Sequence, residues 1–253
     1  MQRNVLIESE DTRAIVAQYN SPPKGQRLRD TPLIIMPFGL QNTHGHTPTF
    51  FLHIAEKLED IGITSLLYDF NEQQKDKPTE QKLCCERLSE DLNTLYIWAR
   101  ENEFQKVAFI TEGLGAPLVF LNLPENSIFS VLLWPILNLE EFTRTQETDS
   151  ASGTCVNEKF FKKMKELKLR AALQNAHMPT LILHGNKDTV VPPIHLEEAR
   201  AHLMVPRLNI TTFEDGEHGL ASPKHEKACL AHISNFVKKY AQDDADRIEL
   251  FRI

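Results

Sequence analysis

Short apolar runs rich in β-branched residues recur along the chain, and each is followed by a turn signal and a segment with helical spacing. This alternation is typical of βαβ units, in which helices cover both faces of a parallel sheet. We therefore predict an α/β fold with a mostly parallel central sheet. The predicted strands are residues 33–36, 63–68, 107–111, 128–134, 180–184 and 208–213.

The segments between these runs have the spacing of amphipathic helices. In the clearest one, residues 79–100, Leu88, Leu92 and Leu95 recur at three and four positions with charged residues between them. Residues 4–8 and 13–19 predict two antiparallel strands, which would make the sheet mixed at its N-terminal edge. Further helices are predicted at 48–60, 114–121, 194–203 and 223–240.

One stretch, residues 138–177, breaks this rhythm. It contains no strand candidate and a single basic helix near 158–168. A connection this long inside a compact α/β domain is typical of a functional lid. No linker or repeat divides the chain, so we predict one domain, 1–253, with a lid insertion at about 138–177.

The composition and charge of the chain indicate which binding partners and which cellular compartment to expect. The 253 residues carry 28 Lys and Arg against 35 Asp and Glu, a net charge of −7 without any basic tract, which argues against nucleic-acid and anionic-membrane partners. We expect a cytoplasmic protein, because no run is apolar enough to span a membrane and the N-terminus lacks an apolar signal core. The four cysteines form neither a disulfide framework nor a metal-ligand pattern, so we expect reduced thiols.

Candidate chemistry lies in the turns that follow three predicted strands, since ligands of open parallel sheets bind beyond the carboxyl ends of the strands. Asp188 follows one strand and His218 follows the next along the chain, so the two side chains are expected to meet. The three turns read T-E-G-L-G-A from Thr111, G-N-K-D-T-V-V-P from Gly185, and D-G-E-H-G from Asp215.

These turns resemble those of the α/β-hydrolase superfamily in its esterase, lipase and aminopeptidase-like branches, and the resemblance covers nearly the whole chain. It implies an α/β-hydrolase fold with helices on both faces of the sheet and a short helical lid. It also implies Asp188 as the triad acid and His218 as the triad base. The turn M-P-F-G-L from Met36 is similar to the oxyanion loop, which implies backbone N–H donors at Phe38 and Leu114, although Met-Pro replaces the usual His-Gly pair.

The sequence departs from this family at the nucleophile elbow. The family pattern is G-x-S-x-G, whereas this chain has T-E-G-L-G, so Gly113 occupies the nucleophile position and supplies no hydroxyl, thiol or carboxylate. The elbow needs small neighbours because the nucleophile sits in a sharp, strained turn. A glycine adopts such a turn at little steric cost. We expect the neighbouring Glu112 to point away from the site and not to replace the missing nucleophile.

Three hypotheses about function therefore stay open. The first is a catalytically impaired relative that binds a small carbonyl or ester-type ligand, or a protein partner. The second is an active carboxylic-ester hydrolase in which His218 activates water directly. The third is a serine hydrolase into which Gly113 has been introduced.

Other ligand classes find little support in the sequence. No metal or organic cofactor is implied, because His44 and His46 alone do not make a zinc site. The turn at Gly113 lacks the third glycine of a dinucleotide-binding fingerprint. The helical histidines 195, 202, 225 and 232 are expected on solvated faces.

Overall fold

The computed structural model of the chain describes residues 2–8, 14–21, 31–39, 47–70, 85–148, 166 and 168–249. Its strands are β1 (Gln2–Glu8), β2 (Ala14–Asn20), β3 (Leu33–Phe38), β4 (Thr64–Asp69), β5 (Val107–Glu112), β6 (Ser127–Leu133), β7 (Thr180–Gly185) and β8 (Leu208–Phe213). They form one sheet in the order β1-β2-β4-β3-β5-β6-β7-β8. β2 pairs antiparallel with β1 and with β4, and every other neighbouring pair is parallel.

Helices cover both faces of this sheet. They are α1 (Thr47–Asp60), α2 (Cys85–Glu101), α3 (Gly115–Leu121), α4 (Leu139–Thr148), α5 (Leu169–Gln174), α6 (Ile194–His202) and α7 (Pro223–Glu249), with a short 3₁₀ turn at His218–Leu220. Strand residues alternate between two buried clusters because successive side chains point to opposite faces. Leu33 and Ile35 pack with α2 and α3, whereas Ile34 and Met36 pack with α1 and α7.

The structure confirms the predicted fold class and the mixed sheet. Each predicted strand lies within a few residues of an observed one, and the N-terminal pair is antiparallel. The last helix is longer than predicted and ends at Glu249 instead of residue 240. Part of the helix predicted at 79–100 falls on residues 79–84, outside the described residues.

The connection between β6 and β7 contains helices in its described parts, residues 134–148 and 168–179, and no strand there. Of the basic helix predicted at 158–168, only residues 166 and 168 are described. Among the helices that the structure describes, none has the length and apolar composition needed to cross a membrane.

Candidate active site

The turn between β5 and α3 brings Gly113 to its apex. Gly113 has a φ of 47°, in the left-handed region that favours glycine. Its N–H donates to the carbonyl oxygen of Leu133 at 3.1 Å, and its carbonyl oxygen accepts from the N–H of Ile136 at 3.0 Å. These two hydrogen bonds hold the backbone in the sharp turn that a nucleophile elbow requires. Gly113 has a hydrogen atom in the position from which a nucleophilic side chain would extend.

Small residues around this apex are a steric requirement. The Thr111 hydroxyl donates to the carbonyl oxygen of Pro37 at 2.7 Å, which ties the elbow to β3. A Cβ atom on Gly115 would lie only 2.1 Å from that hydroxyl oxygen. Gly115 is thus needed because a threonine, and not a glycine, stands at position 111.

Asp188 and His218 form a hydrogen-bonded pair beyond β7 and β8. The Asp188 Oδ2 atom lies 2.8 Å from the His218 Nδ1 atom, and Oδ1 accepts the N–H groups of Val190 and Val191 at 2.9 and 2.7 Å. The two side chains are 0% and 6% exposed. An ionised carboxylate only accepts hydrogen bonds, so Nδ1 donates to Asp188, and in the neutral form of the ring Nε2 carries the lone pair.

Two glycines allow the acid loop and the histidine loop to approach each other. A Cβ atom on Gly185 would lie 2.2 Å from the carbonyl oxygen of Gly216. The same carbonyl oxygen accepts the Lys187 N–H at 2.9 Å, and the Lys187 ammonium forms an exposed ion pair with Asp215. This close backbone contact sets the separation of the two loops that carry Asp188 and His218.

The second ring nitrogen of the histidine is buried without a partner. Among the described residues, no donor or acceptor lies within hydrogen-bonding distance of His218 Nε2. The Trp134 ring stands edge-on to the imidazole, with centroids 5.9 Å apart. In the triad of a serine hydrolase this nitrogen accepts a hydrogen bond from the hydroxyl of the nucleophile.

The residues predicted as backbone donors lie at the carboxyl ends of two neighbouring strands. Phe38 is the last residue of β3, and Leu114 lies two residues after the end of β5, directly before α3. β3 and β5 are parallel neighbours. Both residues are buried, and the Phe38 ring stacks on Phe51 with centroids 4.6 Å apart. The carboxyl ends of β3 and β5 therefore bring Phe38 and Leu114 to the edge of the sheet that carries Gly113.

The sequence analysis treated Glu112 only as a side chain that points away from the site and did not predict its role, although its carboxylate is buried inside the protein. It accepts hydrogen bonds from the Gly39 N–H at 3.1 Å and from Trp134 Nε1 at 3.0 Å. Burial raises the pKa of Glu112 from 4.5 to about 7, and the hydrogen bonds and nearby His218 oppose this rise. The signal that could have found it is a lone charge at the end of a strand that is otherwise apolar.

The expectation that the helical histidines lie on solvated faces is wrong for His195 and His225, which are buried. The His195 Nδ1 atom accepts the N–H groups of Leu137 and Asn138 at 3.1 and 2.9 Å. Burial lowers the pKa of His195 to about 4, so the ring stays neutral and anchors the segment after β6. His44 and His46 lie outside the described residues.

Known proteins share this architecture. The family model of the prolyl oligopeptidase family matches residues 124–244, which include Asp188 and His218 but not Gly113. No curated protein matches the chain in sequence.

Several solved structures are similar over nearly their full length. Est1E from Butyrivibrio proteoclasticus has a TM-score of 0.75 at 14% identity, over 94% of this chain and 98% of that one. The esterase Pf2001 from Pyrococcus furiosus has a TM-score of 0.69 at 16% identity, over 95% and 93%. Mouse alpha/beta hydrolase domain-containing protein 10 has a TM-score of 0.71 at 13% identity, over 94% and 99%. With the mixed eight-stranded sheet, these likenesses show that the chain has the α/β-hydrolase fold.

Proposed function

We propose that this α/β-hydrolase, of the esterase and peptidase type, is catalytically impaired and binds a small carbonyl or ester-type ligand beside Gly113. The observation that carries the proposal is the buried Nε2 atom of His218, which has no hydrogen-bond partner among the described residues, together with a glycine at the apex of the turn after β5. Acyl transfer by a serine hydrolase needs a hydroxyl at that apex, and Gly113 supplies none. The hydrogen bond between Asp188 and His218 supports the proposal, in which these residues are the acid and the base and the nucleophile is the missing group.

The remaining groups define the chemistry of the ligand. Asp188 holds the proton on His218 Nδ1, so Nε2 accepts a hydrogen bond from a hydroxyl or a water molecule. The backbone N–H groups of Phe38 and Leu114 are the proposed donors to a carbonyl oxygen. We also propose that the chain is one domain and that residues 138–177 serve as its lid.

Reaction with a fluorophosphonate probe tests the missing nucleophile, because the probe labels only an activated hydroxyl. We expect no labelling of the wild-type protein and stoichiometric labelling of Gly113→Ser at the new serine, with hydrolysis of p-nitrophenyl acetate. Labelling of the wild-type protein at any serine or threonine would overturn the proposal.

Controls separate chemistry from folding. A serine at a φ of 47° costs about 1–3 kcal/mol of stability. Gly62→Ser introduces the same side chain at a φ of 78° in the turn between α1 and β4, so it should lose similar stability and gain no activity. Asp188→Asn or His218→Ala combined with Gly113→Ser should abolish the gain. A folded but inert Gly113→Ser protein would mean that the site differs from a hydrolase by more than the nucleophile.

A second candidate function is slow ester hydrolysis with water as the nucleophile. The intact Asp188–His218 pair favours it, because an oriented histidine base accelerates a reaction by about 10²–10⁴-fold. Turnover of p-nitrophenyl acetate by the wild-type protein without probe labelling would support this candidate over pure binding.

A further inference from the structure

A buried carboxylate joins four parts of the fold at the edge of the site. Glu112 is 3% exposed and ends β5. Its Oε1 atom accepts from the Gly39 N–H at 3.1 Å, and its Oε2 atom accepts from Trp134 Nε1 at 3.0 Å and from the Thr47 hydroxyl at 3.5 Å. These partners follow β3, follow β6 and begin α1, so one side chain holds three neighbouring elements.

The first contact fixes the peptide that follows the predicted oxyanion donor. The carbonyl oxygen of Phe38 accepts the Phe70 N–H at 2.9 Å, while the Gly39 N–H of the same peptide group donates to Glu112. Gly39 has a φ of 85°, a conformation that its lack of a Cβ atom permits. Because both ends of this peptide group are bonded, the Gly39 N–H is not available to a ligand oxygen, and Phe38 and Leu114 stay the proposed donors.

The second contact holds the ring beside the histidine. Trp134 has a φ of 35°, an uncommon backbone conformation for a bulky residue that costs about 1–3 kcal/mol. Its indole lies between Phe50, with centroids 6.2 Å apart, and His218, at 5.9 Å. The bond from Nε1 to Glu112 is the polar contact that orients this indole.

We propose that Glu112 is a positioning residue of the site, which fixes the Phe38–Gly39 peptide group after β3 and the Trp134 indole and thereby sets the surroundings of His218. This goes beyond the proposed function, because it holds whether or not the site hydrolyses esters. Among the described residues, His218 is the titratable group that interacts electrostatically with Glu112. The three described hydrogen-bond donors to Glu112, in Gly39, Thr47 and Trp134, are uncharged groups.

The proposal predicts that the N–H groups of Gly39 and Trp134, which are far apart in sequence, both respond to the ionisation of Glu112. A carboxylate accepts stronger hydrogen bonds than a neutral carboxyl group. As the pH rises, the Gly39 amide and the Trp134 indole N–H should therefore both move downfield, with a common midpoint near the pKa of Glu112, which is about 7. The chemical shift of the Trp98 indole N–H, which belongs to a ring that packs on Tyr19, should not change over this pH range.

The test is a ¹H–¹⁵N NMR titration of the full chain, with Trp98→Phe used to assign the indole signals. Glu112→Gln should abolish both titrations, whereas the same change at the exposed Glu125 should leave them unchanged. If Glu112→Gln does not fold, Trp134→Phe serves instead: Gly39 must still titrate without the indole. Two different midpoints, flat wild-type signals, or titration that persists in Glu112→Gln would each overturn the proposal. Probe labelling plays no part in this experiment, so its failure is distinguishable from failure of the proposed function.

Discussion

Glu112→Gln measures how strongly the buried carboxylate couples folding to pH. Burial raises the pKa of Glu112 from 4.5 to about 7. Between these values the folded chain keeps a proton that the unfolded chain has released, so the stabilisation is complete below pH 4.5 and is lost as the pH rises through about 7. The difference corresponds to a loss of about 3 kcal/mol in the free energy of unfolding.

Two buried histidines have the opposite effect on the pH dependence of stability. Burial lowers the pKa of His184 and brings that of His195 to about 4, so the unfolded chain binds protons that the folded chain does not. Stability due to these histidines rises with pH through this range and is lost in acid. Both are present in Glu112→Gln, so the difference between wild type and variant cancels them.

Glu112→Gln also changes stability by an amount that does not depend on pH. A protonated carboxyl group still has a lone pair on each oxygen for the Gly39 and Trp134 N–H groups, whereas glutamine has one acceptor oxygen. The glutamine NH₂ group must therefore face one of these donors, at a cost of about 1–3 kcal/mol. Wild type should be the more stable protein in acid, and its advantage should shrink as the pH rises.

Urea denaturation followed by circular dichroism gives the two profiles. Between about pH 5 and pH 8 we expect the stability of wild type minus that of Glu112→Gln to fall by about 2–3 kcal/mol. The stability of wild type minus that of Glu125→Gln should not change with pH over this range, because Glu125 is exposed. Parallel profiles for wild type and Glu112→Gln would refute the claim that burial governs the ionisation of Glu112.

Two further predictions concern the histidine and the loop contact. Any ester turnover by the wild-type protein should fall at least about tenfold in His218→Ala, because the general base is lost; an unchanged rate would place the activity elsewhere. Gly216→Ala should lower stability by about 1–3 kcal/mol in urea denaturation, since its Cβ atom would lie 2.9 Å from the Gly185 Cα atom. Wild-type stability in that variant would show that the loops separate at little cost.

The fold was predictable from the sequence because its strands are short apolar runs with clear ends. β5 and β7 are buried along their whole lengths, and such continuous runs mark strands covered on both faces. The pairing of Asp188 with His218 was also predictable, since parallel strands that follow each other in the sheet bring their following loops together.

The surroundings of the site were less predictable because they depend on contacts between distant segments. Glu112 and Trp134 are separated by 22 positions, and neither residue type nor spacing indicates that their side chains bond. His195 lies on a short helix whose pattern suggested exposure, yet its ring accepts two backbone N–H groups from the segment after β6. Burial of a polar side chain follows from the partners that satisfy it, and these partners appear only in three dimensions.

The elbow itself explains why one substitution is expected to have a local effect. The Thr111 hydroxyl bonds Pro37, Gly115 leaves room for it, and the Gly113 backbone is bonded on both sides. These contacts do not involve a side chain at the apex, so we expect them to hold the turn in place when position 113 carries a side chain. For Gly113→Ser the main cost would then be the positive φ. Under the proposed function, we therefore expect hydrolysis to require both a hydroxyl at position 113 and the buried Nε2 atom of His218.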